Sequence, residues 1–221
     1  MPNRGNPTLT PEEARELHYK ALVIDSQQPP ATSGFLFTDK MRVAMQEYHH
    51  QGMTRVEVGE FMSAMMVREI QTSPDARKTY LDLWDKSGVS VASATYAGPG
   101  PFTGAFERSV RGMTQARAII DSLEEFTLVL KASDIERTHQ DGKHGLILDF
   151  QDTTPFADKL DRIELFYNLG LRVVQLTYNL RNLVGDGCTE VHSSGLTYFG
   201  REVVQRLNDL HMAIDVSHCS E

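Results

Sequence analysis

Several short stretches of this 221-residue chain hold side chains with reactive chemistry. The apolar run Ala21-Leu22-Val23-Ile24 ends in Asp25, a carboxylate able to bind a metal ion or move a proton. Asp149 and Asp152 flank Gln151 at the end of a second apolar run that begins at His144. His218 closes a third run, Met212-Ala213-Ile214-Asp215-Val216-Ser217, and offers an imidazole for metal ligation or general base work. Cys188 lies in Gly185-Asp186-Gly187-Cys188 with His192 four residues on, the composition of a nucleophile and its base or of two metal ligands.

Each has a plainer reading. A lone histidine after an apolar strand is ordinarily structural, and a terminal Asp such as Asp25 commonly caps a helix or bonds nearby backbone. Asp149 shares the strand face of Gln151 by alternation, whereas Asp152 reads as a solvated loop acid. Cys188 sits in a glycine-rich loop with nothing nearby in sequence to activate a thiolate. His49-His50 are adjacent, so their rings diverge, and the pair reads as surface; Met62, Met65 and Met66 read as core filler.

The elements that would position these groups alternate in type. Thr10 as N-cap, Pro11 at the first helical position and Glu12-Glu13 at the dipole's positive end predict a helix over 11–19. Apolar runs predict strands near 21–25, 55–62, 144–150, 171–177 and 212–217, while 89–97 reads either as a short strand or as an irregular loop. Helical spacing appears around 75–86, over 106–126 after the Gly98-Pro99-Gly100-Pro101 breaker, over 156–169 before Gly170, and over 196–210. Strand–helix alternation of this kind argues for βαβ units and a parallel sheet. The strands end in polar residues, Asp25, Gln151, Thr177 and His218, as (β/α) barrel strands do where they carry chemistry. No glycine-rich phosphate loop follows any strand, which favours a barrel over an open dinucleotide-binding sheet. The expectation is a single α/β domain over 1–221, a TIM-type (β/α) barrel that is incomplete, with about five of its eight βα units.

Composition narrows the function classes. Lys and Arg number 22 against 30 Asp and Glu, a net charge of −8 with no basic stripe, which weighs against nucleic acid as a partner. Hydrophobic residues make up 40% and charged residues 24%, a globular composition. No stretch reaches the roughly 18 apolar residues of a membrane span, and the polar start lacks the apolar core of a secretory signal. Two cysteines make no disulfide framework, so a reduced, cytoplasmic setting is expected.

From Lys143 onward a set of motifs occurs together: Gly145-Leu146-Ile147-Leu148-Asp149-Phe150-Gln151-Asp152-Thr153-Thr154, Leu169-Gly170-Leu171-Arg172-Val173-Val174-Gln175-Leu176-Thr177-Tyr178-Asn179, Gly195-Leu196-Thr197-Tyr198-Phe199-Gly200-Arg201-Glu202-Val203-Val204 and Ile214-Asp215-Val216-Ser217-His218. Together these resemble the membrane (renal) dipeptidase family of metallopeptidases, and 21–30 resembles that family's first strand. The resemblance implies an amidohydrolase-like barrel with two zinc ions that hydrolyses dipeptides, a small peptide-like substrate.

Carried over residue by residue, the resemblance places Gln27 where the family's first strand has a metal-binding His and Pro29 where it has a metal-binding Asp. Gln151 stands for the Glu that bridges the two zincs, Thr154 for a substrate-contacting His, and His218 for a metal-binding His; Tyr178 is implied at the substrate. The remaining metal His and a later catalytic Asp are expected beyond residue 221. A bridging carboxylate screens two mutually repelling cations, and a neutral amide does so poorly. A diverged site of weak or altered activity is therefore expected, with Asp25 or Gln151 in the catalytic positions and His218 as the metal ligand. The competing reading is an inactive barrel that binds a peptide-like ligand. Open sheet edges also predict self-association into a homo-oligomer.

Overall fold

Helix α1 (Pro11–Lys20) begins at a capping box: the Thr10 hydroxyl accepts from the Glu13 amide, and the Glu13 carboxylate accepts from the Thr10 amide. The computed structural model describes residues 9–28, 36–96 and 101–221. After α1 come β1 (Ile24–Gln28), α2 (Asp39–His50), α3 (Arg55–Thr72), α4 (Pro74–Ser87) and β2 (Val91–Thr95). The chain continues through α5 (Ala105–Ser122), β3 (Phe126–Leu128), α6 (Ala132–Gln140) and β4 (His144–Phe150). A 3₁₀ turn (Thr154–Phe156), α7 (Asp161–Leu169), β5 (Leu171–Gln175), α8 (Tyr198–Asp209) and β6 (Ala213–Asp215) complete it.

Every strand pairing is parallel, in the order β1-β2-β4-β5-β6. The β2 ladder occupies one edge of β4 over Gly145–Asp149, so β3 and β5 share the other edge. β3 takes the first half, at His144–Leu146, and β5 the second, from Leu148. The result is a parallel half-barrel, the arc of an incomplete TIM-type barrel.

One face of this arc is covered by helices. Ala92, Ala94 and Leu146 pack with Met62, Met66, Ile70, Tyr80, Trp84 and Phe126. Further along, Leu148, Phe150 and Val174 pack with Met113, Ile163, Phe166, Val203 and Leu207. The other face carries the alternate residues, and its upper half is polar: Ser93 and Thr95 on β2, Asp149 on β4, Gln175 on β5 and Asp215 on β6.

Two local readings of the sequence need correction. The 55–62 segment, expected as a strand, is the first half of α3. Thr54 and Glu57 form a capping box there, and Val58, Met62, Met66 and Ile70 are buried at four-residue spacing, a helical period that the Val56-x-Val58 alternation masked. The first strand lies at Ile24–Gln28 rather than 21–25. Of the two readings of 89–97 the strand is the one found, a full central strand at Val91–Thr95. β3, α2 and α6 were not anticipated; β3 has only three residues, and Ala132–Gln140 is polar in sequence. The methionines behave as expected, with Met62 and Met66 buried and Met65 packed against them. His49 and His50 are exposed in the last turn of α2.

Candidate functional site

Parallel pairing brings the C-terminal ends of the strands to one rim. Thr95 is the register partner of Asp149, and Thr95 Oγ1 donates to Asp149 Oδ1 at 2.6 Å. Ser93, one pleat below, donates to Asp149 Oδ2 at 2.6 Å. The side-chain amide of Gln27, at the end of β1, contacts the Thr95 hydroxyl in turn. Asp149 is 2% exposed, and burial pushes its carboxyl up to about 6, against the pull of the two hydroxyls; the negative charge of Asp215 adds to the rise. A polar chain thus runs across three strands, from Gln27 through Thr95 to Asp149, with Asp215 facing it from β6.

A second cluster stands at the other end of the rim, after β5 and β6. The rings of Tyr178 and His218 are stacked, with centroids 4.3 Å apart and 19° between planes. His218 Nδ1 lies 2.9 Å from Asn179 Oδ1, and the Cys188 amide donates to the His218 carbonyl at 2.8 Å. The Cys188 thiol reaches Asn179 Oδ1 at 3.8 Å. The loop that carries Asn179 and Cys188 is held by Asp186, 5% exposed, which accepts from the Arg181 guanidinium and, at 2.6 Å, from the Ser194 amide. Asn182 braces the loop from inside, donating to the Leu176 carbonyl at 2.9 Å and to Thr153 Oγ1 at 3.0 Å.

The residues singled out in the sequence fall into this frame as follows. Asp25 pairs in register with Ala92, whose side chain belongs to the helix-covered face, and Asp25 Oδ1 accepts from the Gln27 amide at 3.0 Å. Gln151 follows β4 directly and is half-buried. Thr154 opens the 3₁₀ turn, and both its amide, at 2.6 Å, and its hydroxyl donate to Asp152. Asp152 is not a solvated acid: it is 5% exposed and shapes this turn. Tyr178 and His218 are in contact, whereas no hydrogen bond joins either to Gln27 or Gln151 among the described residues. Gln27 lies in β1 and His218 follows β6, the first and last strands of the sheet path, so they occupy opposite ends of the arc. Cys188 and His192 are both exposed. Pro29 lies outside the described residues.

Sequence reading missed Ser93, Thr95, Asn179 and Asp215. For three of them a signal exists: in Val91-x-Ser93-x-Thr95 and Ala213-x-Asp215 the period-2 face turns from apolar to polar toward the strand's end.

Zinc takes thiolate, imidazole and carboxylate donors, and structural or catalytic sites gather three or more of them. Two of the described positions that the resemblance assigns to metal carry amides, Gln27 and Gln151, and the Gln27 amide is engaged by Thr95. Among the described residues no group of three or more His, Cys, Asp or Glu side chains is placed to hold a metal ion. These residues do not fit a zinc centre by themselves. No helix among the described residues is long and apolar enough to cross a membrane.

Known proteins resemble this chain in sequence and in fold. The chain is 31% identical over 94 residues to dipeptidase tcpJ of Claviceps purpurea, a match covering 41% of this chain and 22% of that protein. It superposes on a solved amidohydrolase from Pseudomonas aeruginosa with a TM-score of 0.61 at 26% identity, covering 93% of this chain and 48% of the other. A metallopeptidase from Rhodobacter sphaeroides, solved with a phosphinate mimic of the dipeptide L-Ala-D-Ala, shares the fold with a TM-score of 0.57 at 19% identity, over 70% of this chain and 57% of its own. The chain thus spans about half the length of these solved relatives and less of the curated one. The model of the membrane dipeptidase family matches residues 12–221, nearly the whole sequence. This chain belongs to the membrane dipeptidase family, peptidase family M19.

Proposed function

We infer that this chain forms the dipeptide-recognising part of a dipeptidase-like hydrolase, with the ligand held at the C-terminal rim of the half-barrel. The observation that carries this reading is the polar upper layer of the open sheet face, Thr95, Asp149, Gln175 and Asp215, continuous with Gln27 at one end of the arc. A barrel interior is otherwise packed with branched apolar side chains, and a polar upper layer suits a peptide-like ligand rather than core packing.

Metal use by the family extends to this chain in one respect. His218 is the only described residue at an assigned metal position with a donor that zinc favours. The amides of Gln27 and Gln151 stand where stronger donors are expected, so zinc affinity and turnover on dipeptides are both low. The same two amides favour a second reading, in which the rim binds a dipeptide without cleaving it.

The experiment that separates these readings measures L-Ala-D-Ala hydrolysis by the purified chain with and without added Zn²⁺, alongside calorimetric binding of the same dipeptide. Slow, zinc-dependent hydrolysis supports the hydrolase reading. Binding without hydrolysis supports the second. Absence of both removes the dipeptide from the rim.

A further inference from the structure

We propose that Asp149 and Thr95 are positioning residues: they lock the Gln27 side-chain amide with its carbonyl oxygen toward the barrel mouth, ready to accept from an N–H group of the ligand.

The supply of hydroxyl hydrogens sets the polarity of this hydrogen-bond chain. A threonine hydroxyl has one hydrogen to donate and lone pairs to accept with. At Thr95 that hydrogen goes to Asp149 Oδ1 at 2.6 Å, because an ionised carboxylate only accepts. Ser93 commits its own hydrogen to Asp149 Oδ2 in the same way. The remaining contact of Thr95 Oγ1, to Gln27, can only be one that Thr95 accepts, so the group facing Thr95 must be Gln27 Nε2. Reversing the amide would set two acceptors against each other, with the cost of an unmade bond.

The backbone supports this arrangement. Asp25 Oδ1 accepts the Gln27 amide hydrogen at 3.0 Å, fixing the turn from which the side chain springs. Gln27 Oε1 is then the free end of an exposed side chain, with no hydrogen bond among the described residues. Asp215 places a second negative charge on the same sheet face as Asp149. A carbonyl acceptor beside two carboxylates matches the ammonium or amide N–H of a peptide-like ligand and opposes a carboxylate. The proposal rests on the dipeptide reading for its ligand class but not for its hydrogen-bond polarity.

Replacing Asp149 with Asn should reverse the chain. The new amide nitrogen can donate to Thr95, whose hydroxyl hydrogen then turns to Gln27 Oε1, leaving Nε2 facing the mouth. Nuclear magnetic resonance of the Gln27 side-chain NH₂ group reads this directly. In the wild-type chain one of its two protons should be shifted downfield and slow to exchange, and Thr95→Ser should retain that signature. Asp149→Asn and Thr95→Val should both lose it. Calorimetric affinity for L-Ala-D-Ala should fall about tenfold in Asp149→Asn and Thr95→Val, roughly one hydrogen bond's worth, and hold in Thr95→Ser. Two solvent-like protons in the wild type, or an unchanged signature in Thr95→Val, overturns the proposal. So does undiminished affinity in both disrupting variants. If the wild type shows the NH₂ signature but does not bind the dipeptide, the dipeptide reading fails while the positioning role stands on the resonance data.

Discussion

Tyr178 lies nearly flat on His218, with ring centroids 4.3 Å apart, and this stack holds the imidazole edge against Asn179. Asn179 Oδ1 can only accept, so His218 Nδ1 carries the hydrogen, and in the neutral ring Nε2 is the nitrogen left with the lone pair. The Cys188 thiol donating to the same Asn179 oxygen supports that assignment.

Removing the acceptor should therefore release the tautomer. In Asn179→Ala the neutral ring becomes free to carry its proton on Nε2, and the lone pair then passes to Nδ1. Nitrogen-15 spectra of the His218 ring should show mainly the Nδ1–H form in the wild type and a mixture in the variant. An identical tautomer distribution in both would show that Asn179 does not set the ring's protonation.

Asp149 should give stability a pH dependence of unusual sign. Its folded-state value, raised from 3.8 to about 6 chiefly by burial, means that the folded chain holds a proton between those limits that the unfolded chain has lost. The resulting stability is fully present below 3.8 and disappears as pH rises through about 6. The shift corresponds to about 3 kcal/mol, as an upper figure. Asp149→Asn lacks this loss, so its melting temperature relative to wild type should climb between pH 4 and pH 6 and level off above. The altered hydrogen bonds to Ser93 and Thr95 add an offset independent of pH. A flat difference across that range would mean that the carboxyl is not desolvated.

The parallel architecture was legible because Gly145–Leu148 is an apolar run that turns polar at Asp149, because Val173 and Val174 precede Gln175 in the same way, and because α1 announces itself through Thr10, Pro11 and Glu13. His218 and Gln151 were legible as strand-end residues on the same logic. Ser93 and Thr95 were not, since a five-residue strand of Ala, Ser, Thr and one Val carries little hydrophobic signal until its register with β4 is known. Nor was Asn179, whose importance depends on contact with a residue 39 positions away. The misread start of α3 had a local cause: Gly59 interrupts the helical pattern, and Val56 and Val58 imitate alternation.

Two glycines make opposite predictions. A Cβ on Gly187 would stand 2.3 Å from the Asn179 carbonyl oxygen and 2.5 Å from that of Tyr178, both backbone atoms with little room to yield. Gly187→Ala should cost about 1–3 kcal/mol through loop displacement and disturb the His218 tautomer along with it. Gly59 lies inside α3 with nothing within 4 Å of an added Cβ, so Gly59→Ala should stabilise the chain by up to about 1 kcal/mol. Urea denaturation of the two variants checks both signs. A neutral Gly187→Ala would show that the loop is free to move away from the strand ends.

β1 and β6 terminate the sheet path, so each presents one edge with no strand partner among the described residues. Unpaired parallel edges are templates for pairing with another chain unless charge, proline or a bulge blunts them. β1 has a register irregularity between Asp25 and Gln28 that interrupts its pairing, but its first residue, Ile24, is apolar and 47% exposed. Leu22 just before it is 40% exposed, and Val216 just after β6 is 68% exposed, so both edges carry apolar surface as well as free backbone groups. The purified 221-residue chain should therefore self-associate, with apparent mass in size-exclusion chromatography rising with concentration. A lysine on an edge strand opposes such pairing by carrying a charge into it, so Ile24→Lys should shift the distribution toward monomer. A single monomer peak from the wild-type chain at every concentration would show that these edges are already protected.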